Sequence, residues 1–308
     1  MVNTKTNDEV SARVTVVICT YRRSALLDEC LVALLSQRSV ATVFDVLVVD
    51  NANQHACRVV AEHHGVQYVV ELQTGLSHAR NKAIATVATE WLFYLDDDAL
   101  PYPDMMAEFL QAITENPHVR VLGGRYDHYL PPSAPAWLGH HYQTGHRASP
   151  AEELTRLNET QHLSGGIFAF RTRLLLDGQG FAINLGMRGH EIGYGEDDEI
   201  QDRLRSAGTE IYYSPAIAMR HLVQPRKHTV SAQIGMAHQN GIAYGRIPRN
   251  PRFTLADFLR EVINITFRVV PYNLARLLFK KSFAWQNATV MTARRYVYAW
   301  AKFWGARR

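Results

Sequence analysis

The sequence predicts an α/β fold: a sheet assembled from βαβ units, flanked by helices, with a ligand site along the carboxyl ends of its strands. Three observations carry this. Strand-like and helix-like runs alternate through the first hundred residues, the pattern of a parallel sheet. The apolar run Trp91-Leu92-Phe93-Tyr94-Leu95 leads straight into Asp96-Asp97-Asp98, and Pro101 follows. That reads as a buried central strand stopping at three carboxylates, with the proline blocking further regular structure. Thr20 to Arg22 and Asp50 fall at the ends of two other strand-like runs. Polar groups therefore collect along one sheet edge, where open α/β sheets bind ligands.

The elements follow in order. Val14 to Cys19 is β-branched and predicts the first strand. Ser24 is a candidate cap for a helix with Leu27, Leu31, Leu34 and Leu35 on its apolar face. Phe44 to Val49 predicts the second strand, then a helix through Cys57, Val60 and Ala61, then a third strand over Val66 to Val70. Leu76 to Ala88 predicts a helix with Ser77 as a possible cap. Asp104 opens another helix, and Val119 to Leu122 a short strand ending at Gly123-Gly124. Tyr126 to Pro150, rich in Pro, His, Tyr and Gly, predicts a long loop over the site. His162 to Phe170 predicts a strand containing Gly165-Gly166, which would permit close approach of a ligand. Gly189 to Tyr194 reads as a loop and Gly195 to Glu199 as a helix start. Ile211 to Tyr213 predicts a last edge strand before Ser214-Pro215 and His221.

Adjacent carboxylates repel one another and are costly to bury without a cation or hydrogen bonds. Asp96-Asp97-Asp98 is therefore either a solvated acidic turn or a divalent-cation site for a phosphorylated ligand. Glu196-Asp197-Asp198-Glu199 has its own structural explanation, since carboxylates suit a helix N-terminus. No Gly-x-Gly-x-x-Gly or P-loop pattern follows the first strand. Phosphates bound here would be held by a metal and cationic side chains.

With 308 residues, 47% hydrophobic and 20% charged, the composition is that of a folded chain with a sizeable core. Cys19, Cys30 and Cys57 lack metal-ligand spacing and read as buried reduced thiols of a cytoplasmic protein. The first 13 residues are polar and predict no secretory leader, and no 18-residue apolar run predicts a spanning helix. The net charge of +4 is unevenly spread. After Glu210 there are 16 Lys and Arg against two acids, a balance of +14 that leaves −10 for the preceding 210 residues. A basic tail behind an acidic body points to an anionic partner. From Phe258 onward, Val290, Ala293, Val297, Trp300, Ala301 and Trp304 form one helical stripe. It either packs on the preceding domain or docks on an anionic membrane surface. No nucleic-acid recognition motif accompanies the charge, so no nucleic acid is expected.

Taken together and in order, several motifs resemble the inverting family-two glycosyltransferases. They are Val16 to Arg22; Val48-Val49-Asp50-Asn51; Gly75 through Ala79-Arg80-Asn81; Leu95 to Asp98; Ser164-Gly165-Gly166 with Phe170-Arg171; Gly195-Glu196-Asp197; and Ser214-Pro215 with His221. The resemblance spans roughly 13–225 and implies a GT-A type nucleotide-diphospho-sugar transferase fold, a Rossmann-like mixed sheet flanked by helices, with a C-terminal helical extension. The implied division is a polar tail (1–13), a glycosyltransferase domain (14–225) with a nucleotide-binding half (14–125) and an acceptor-binding half (126–225), and a basic, aromatic-rich extension (226–308).

By that resemblance Thr20, Tyr21 and Asp50 form a nucleotide-base pocket suited to uracil or another pyrimidine. Arg22 and Arg80 meet ribose or diphosphate. Asp96 faces ribose or metal, Asp98 holds Mn²⁺ or Mg²⁺, and His221 helps hold metal or diphosphate. Asp97 stays the ambiguous donor-side member, because three consecutive acids allow a shifted register. Asp197 is the implied catalytic base, good to about one position given Glu196 and Asp198 beside it. Gly165, Gly166 and Glu196 would face the acceptor. The implied activity is transfer of a sugar from a nucleotide-sugar donor, UDP-sugar favoured, to a hydroxyl of a saccharide or lipid-linked acceptor in polysaccharide or glycoconjugate biosynthesis. The implied location is cytoplasmic, with peripheral attachment at the inner membrane face as a further expectation. Two other readings remain. A sugar-phosphate nucleotidylyltransferase would need a glycine-rich loop and Lys where Thr20-Tyr21-Arg22 stands. A non-catalytic membrane or carbohydrate-binding protein would not hydrolyse donor with Mn²⁺.

Overall fold

The computed structural model describes residues 13–39, 42–142, 145–189, 193–246 and 253–305. The predicted polar tail, apart from its last residue, and positions 190–192 of the predicted Gly189–Tyr194 loop lie outside them.

The first third of the chain is built as the alternation predicts. β1 (Val14–Thr20), α1 (Ser24–Leu35), β2 (Asp45–Asp50), α2 (His55–His63), β3 (Gln67–Val70), α3 (Leu76–Thr86) and β4 (Trp91–Asp96) form successive βαβ units. β1 pairs parallel to β2 and β4, and β2 parallel to β3. In register, Thr20 stands opposite Asp50 and Cys19 opposite Asp96. The three predicted strand ends therefore share one edge. β4 alternates its side chains between two apolar layers. Trp91, Phe93 and Leu95 pack with α1, while Leu92 and Tyr94 pack with residues of α3. Both faces are covered, which is why the run is continuously apolar. Truncating Phe93, wholly buried, would cost about 3–5 kcal/mol.

The chain continues with β5 (Ala99–Pro101), α4 (Met105–Glu115), β6 (Val121–Tyr129), β7 (Thr155–Arg156), β8 (Ile167–Arg171), α5 (Thr172–Asp177), α6 (Glu196–Ser206) and β9 (Tyr212–Leu222). Among the described residues all nine strands join one mixed sheet, in the order β3-β2-β1-β4-β8-β6-β9-β5, with β7 on β9. β8 runs antiparallel between β4 and β6. Helices α7 (Val230–Arg246), α8 (Leu255–Asn264), α9 (Val270–Phe279) and α10 (Trp285–Gly305) follow, with a π-turn at Ile265–Val269 joining α8 to α9.

Several expectations change. Pro101 does not block regular structure; it ends β5, an edge strand, where a missing N–H is tolerated. The strand expected to stop at Gly123-Gly124 runs on to Tyr129. The glycines are there because neighbouring chain comes too close for a side chain. A Cβ on Gly123 would lie 2.7 Å from Leu163 Cδ2, and one on Gly124 would run into the Ile217 carbonyl. The predicted 126–150 loop accordingly starts four residues later and contains a 3-10 turn at Ala136–His140. Gly165 and Gly166 precede β8 rather than sit inside it. The last strand spans 11 residues and pairs with β6, β5 and β7, so it is no edge. Pro215 is tolerated because the register jumps from Ser214 to Ala218, a bulge that frees it from the ladder. Ser24 is the first residue of α1, after an N-cap at Arg23, and Ser77 lies beyond the Gly75 N-cap of α3. Ser77 instead donates to the Leu185 carbonyl at 3.0 Å. All three cysteines are free thiols, Cys30 and Cys57 buried and Cys19 partly so.

Candidate active site

The carboxyl edge of the sheet opens into a cavity of about 680 Å³ lined by the ends of β1 and β4, the Leu163–Gly166 turn, the start of α6, and His221 of β9. α7 and α10 contribute Met236, Asn240, Tyr244 and Arg294 to its wall.

On one side Asp96, Asp98 and His221 offer three ligand atoms within 4.8 Å of one another. β4 carries Asp96, and the short antiparallel pairing of β5 with β9 sets Ala99 opposite His221. His221 Nε2 lies 2.8 Å from Asp98 Oδ1 and 3.5 Å from Asp96 Oδ2. Its ring stacks on Tyr126, centroids 4.7 Å apart. Burial opposes charge on the imidazole, but the two carboxylates outweigh it and push its pKa up to about 9. For Asp98 burial acts upward, and the His221 charge with Arg23 and Lys227 holds the carboxyl well below the usual range. Asp98 Oδ1 is nonetheless a buried oxygen with no aligned hydrogen bond. Two carboxylates and an imidazole around such an oxygen are a hard donor set that fits Mn²⁺ or Mg²⁺. A cation there would displace the imidazole proton.

Asp97 is turned the other way. It accepts from Thr20 Oγ1 at 2.8 Å and pairs with Arg23 at 2.8 Å. Burial raises its pKa to about 6 against the pull of Arg23. Thr20 is thereby committed to Asp97, while Tyr21 lines the cavity. Arg22 adopts left-handed backbone, φ 58°, with its guanidinium over the Tyr21 ring. Among the described residues lining the cavity it is Arg23, not Arg22, that appears. Asp50, fully buried, accepts from the backbone of Ala52 and Gln54 and from the Tyr68 hydroxyl. Its carboxylate holds the β2–α2 loop, and Asn51 is the residue of that strand end on the cavity wall.

On the opposite side, Gly195 takes φ 95° and caps α6, which presents Glu196, Asp197 and Asp198 in its first turn. Asp197 Oδ2 accepts from Gly165 N at 3.0 Å and Oδ1 from Asp198 N at 3.1 Å. Gln201 ties the segment to Leu163 through both its amide atoms and donates to the Asp197 carbonyl. Glu196 is buried and pairs with Arg80 at 3.0 Å. Burial first, and the Asp197 charge second, raise its pKa to about 7 against Arg80. Arg80 also donates to the Gly165 carbonyl at 2.8 Å and lies over the rings of Phe168 and Phe181. Asp198 accepts from the Tyr244 hydroxyl of α7. The two glycines serve the carboxylates. A Cβ on Gly165 would lie 2.8 Å from Asp197 Oδ2, and one on Gly166 would lie 2.5 Å from Asp96 Oδ2.

Thus Tyr21, Arg80, Asp96, Asp97, Asp98, Gly165, Gly166, Glu196, Asp197 and His221 come together around the cavity, as does Thr20, whereas Asp50 and Arg22 turn elsewhere. Sequence reasoning missed Arg23, Gln224 and Tyr244. Gln224 donates to Asp98 Oδ2, and Arg23 stands 3.6 Å from the same oxygen. The only sequence signal for Arg23 is its place next to the predicted strand end; Gln224 and Tyr244 carry none.

This fold and carboxylate arrangement define a GT-A glycosyltransferase with a candidate metal centre. The model of glycosyl transferase family 2 matches residues 15–177, more than half of the chain, and the chain belongs to that family. Among relatives, the succinoglycan biosynthesis protein ExoM of Rhizobium meliloti is 24% identical over 243 residues, covering 75% of this chain and 73% of that protein. An uncharacterized glycosyltransferase of Haemophilus influenzae is 28% identical over 109 residues, 35% of this chain and 36% of the relative, so that match spans about a third of its length. Among solved structures, the mannosyltransferase PcManGT of Pyrobaculum calidifontis, in complex with GDP-Man and Mn²⁺, superposes with a TM-score of 0.63 at 18% identity, covering 95% of this chain and 87% of that one. GalNAc-T7 with UDP, GalNAc and Mn²⁺ gives a TM-score of 0.56 at 15% identity, covering 83% and 55%.

Proposed function

We propose that the protein is a metal-dependent inverting glycosyltransferase that moves a sugar from a nucleoside-diphosphate sugar, UDP-sugar favoured, to a hydroxyl of a saccharide or lipid-linked acceptor. The observation that carries this is the pair of carboxylate groups facing one peptide. Asp96 fills the space beside Gly166 and Asp197 the space beside Gly165, and consecutive Cα atoms are about 3.8 Å apart.

When bound, Mn²⁺ or Mg²⁺ supplies Lewis-acid stabilisation of the departing diphosphate. Asp96, Asp98 and His221 would hold it. Lys227 and Arg226, both on the cavity wall, add positive charge beside the same phosphates. Asp197, fixed by two backbone N–H groups, removes the acceptor hydroxyl proton as that oxygen attacks the anomeric carbon. One base on the acceptor side and a charge-stabilised leaving group on the other suffice for a single displacement, which inverts the anomeric centre. Arg80 acts one step removed, holding Glu196 and Gly165 and so the angle of Asp197. An adjoining cavity of about 660 Å³, with Arg188, Arg226 and Lys227 in its lining, would receive the rest of an extended acceptor. The family's biosynthetic relative suggests polysaccharide or glycoconjugate synthesis as the setting.

A thermal-shift screen of nucleotide sugars tests the donor side, because ligand binding raises apparent stability. The expected result is stabilisation by one nucleotide sugar that needs Mn²⁺; stabilisation by none, or equally without metal, would remove the reading. Proton NMR of the first product then reads the anomeric configuration, which should be opposite to that of the donor.

A further inference from the structure

The helical extension is amphipathic in the wrong sense for a helix that only packs on its own protein. α8, the π-turn and α9 run continuously from Leu255 to Phe279. Their inner side meets α10 through both apolar and polar groups: Phe258 lies against Trp300 and Phe303 and Ile265 is fully buried, while Glu261 pairs with Arg295, Thr266 with Tyr296, and Asn273 with Thr292. The outer side is apolar. Leu255, Leu259, Ile263 and Phe267 follow one another at four-residue spacing, and Leu274 and Leu278 continue the series, all exposed. Phe267 is 74%, Leu278 77% and Phe279 86% exposed. A surface helix normally turns this stripe inward. Contiguous exposed apolar surface of this kind marks an interaction site. At about 1.5 Å per residue the stripe extends over roughly 35 Å.

The charges around it choose the occupant. Arg268, Lys280 and Lys281 are exposed and form no ion pair among the described residues. The two acids of the region are already engaged, Asp257 with Arg260 and Glu261 with Arg295. Trp285, 59% exposed, stands four residues after Lys281. Apolar side chains rimmed by unpaired cations, with an aromatic at the border, match the acyl and headgroup layers of an anionic bilayer. No described helix is long and apolar enough to cross a membrane, so the segment would lie in the interface plane.

We infer that the outer face of α8–α9 is a docking surface for an anionic lipid bilayer. The notable shift from the sequence expectation is the helix involved. In α10 Val290 and Ala301 are buried, and a Cβ on Gly241 of α7 would lie 2.5 Å from the Tyr298 carbonyl of α10. α10 thus packs with part of its stripe, while Trp300 and Trp304 of that stripe stay 51% and 45% exposed; the longer exposed apolar face belongs to α8–α9. α10 carries Arg294 on the catalytic cavity wall, so the docked helices and the site share one support.

Co-sedimentation of the full chain with vesicles tests this without donor or acceptor, so its outcome is independent of the transferase reading. Vesicles containing about 30% phosphatidylglycerol should bind the chain, and pure phosphatidylcholine should bind it far more weakly. Phe267→Glu with Leu278→Glu should lower partitioning by at least about tenfold. Lys280→Ser with Lys281→Ser should lower it roughly 30-fold on anionic vesicles only, at about 1 kcal/mol per charge. All four positions are exposed, and circular dichroism checks that each variant folds; should the Glu variant not fold, the Lys pair decides alone. Absence of vesicle binding, or binding indifferent to lipid charge, overturns the inference. So does a dimer by light scattering that disappears in the Phe267→Glu and Leu278→Glu variant, which would make a second copy the occupant.

Discussion

Two acidic triplets face each other across the cavity, Asp96-Asp97-Asp98 at the end of β4 and Glu196-Asp197-Asp198 at the start of α6, and they divide their labour alike. Each turns one member into the protein to meet an arginine, Asp97 with Arg23 and Glu196 with Arg80. Each gives one to a partner on the following chain, Asp98 to Gln224 and Asp198 to Tyr244. Each leaves one beside a glycine at the cavity, Asp96 by Gly166 and Asp197 by Gly165. The difference is the third partner. His221 stands against Asp96 and Asp98, which makes that side the candidate cation site. The α6 side has backbone N–H groups and a helix N-terminus instead, which orient the Asp197 carboxylate.

The comparison can be broken in order of expected effect. Asp197→Asn should lower turnover by about 10²–10⁴-fold in a radiolabelled-sugar transfer assay. A rate within a few-fold of the parent would assign the base elsewhere. Next comes Arg80→Met, which strands the buried Glu196 carboxylate and should destabilise the fold by about 3–5 kcal/mol in urea unfolding at pH 8. The double variant with Glu196→Gln should recover much of that, and no recovery would separate the two residues.

Glu196 also makes a pH prediction. A carboxyl with a folded pKa of about 7 against an ordinary 4.5 binds its proton more tightly folded than unfolded. The native state therefore loses stability as pH rises between those values, by roughly 3 kcal/mol for this group. Glu196→Gln should flatten unfolding free energy between pH 4.5 and 7. An unchanged slope would move the cause to another group. The smallest effect is expected from Tyr244→Phe, which removes the Asp198 hydrogen bond for about 1 kcal/mol and should leave donor binding intact when measured by calorimetry.

How far the sequence reached follows from where the information lies. β1 to β4 were legible because their apolar runs are local and their ends are punctuated by polar residues. Both triplets were legible as unusual carboxylate clusters. Their internal division was not, because it is set by Arg23, Arg80, Gln224 and Tyr244, which reach them from other elements. Asp50 looked like a ligand-facing acid at a strand end, yet its own following backbone supplies its hydrogen bonds. Gly123-Gly124 looked like a strand end because glycine weakens strands, whereas close neighbouring chain required it. The stripe on α10 was visible by its period. That α8–α9 would turn an apolar side outward depends on tertiary contacts, Phe258 with Phe303 and Glu261 with Arg295 among them, that no helical period reports.

The claim that one triplet holds the leaving group and the other takes the proton is tested most directly by titrating the stabilising nucleotide sugar, with Mn²⁺, into Asp98→Asn and Asp197→Asn side by side. Asp197→Asn should bind donor as the parent does, while Asp98→Asn should lose roughly 10–100-fold in Mn²⁺-dependent affinity. Equal loss in both, or loss confined to Asp197→Asn, would contradict the division.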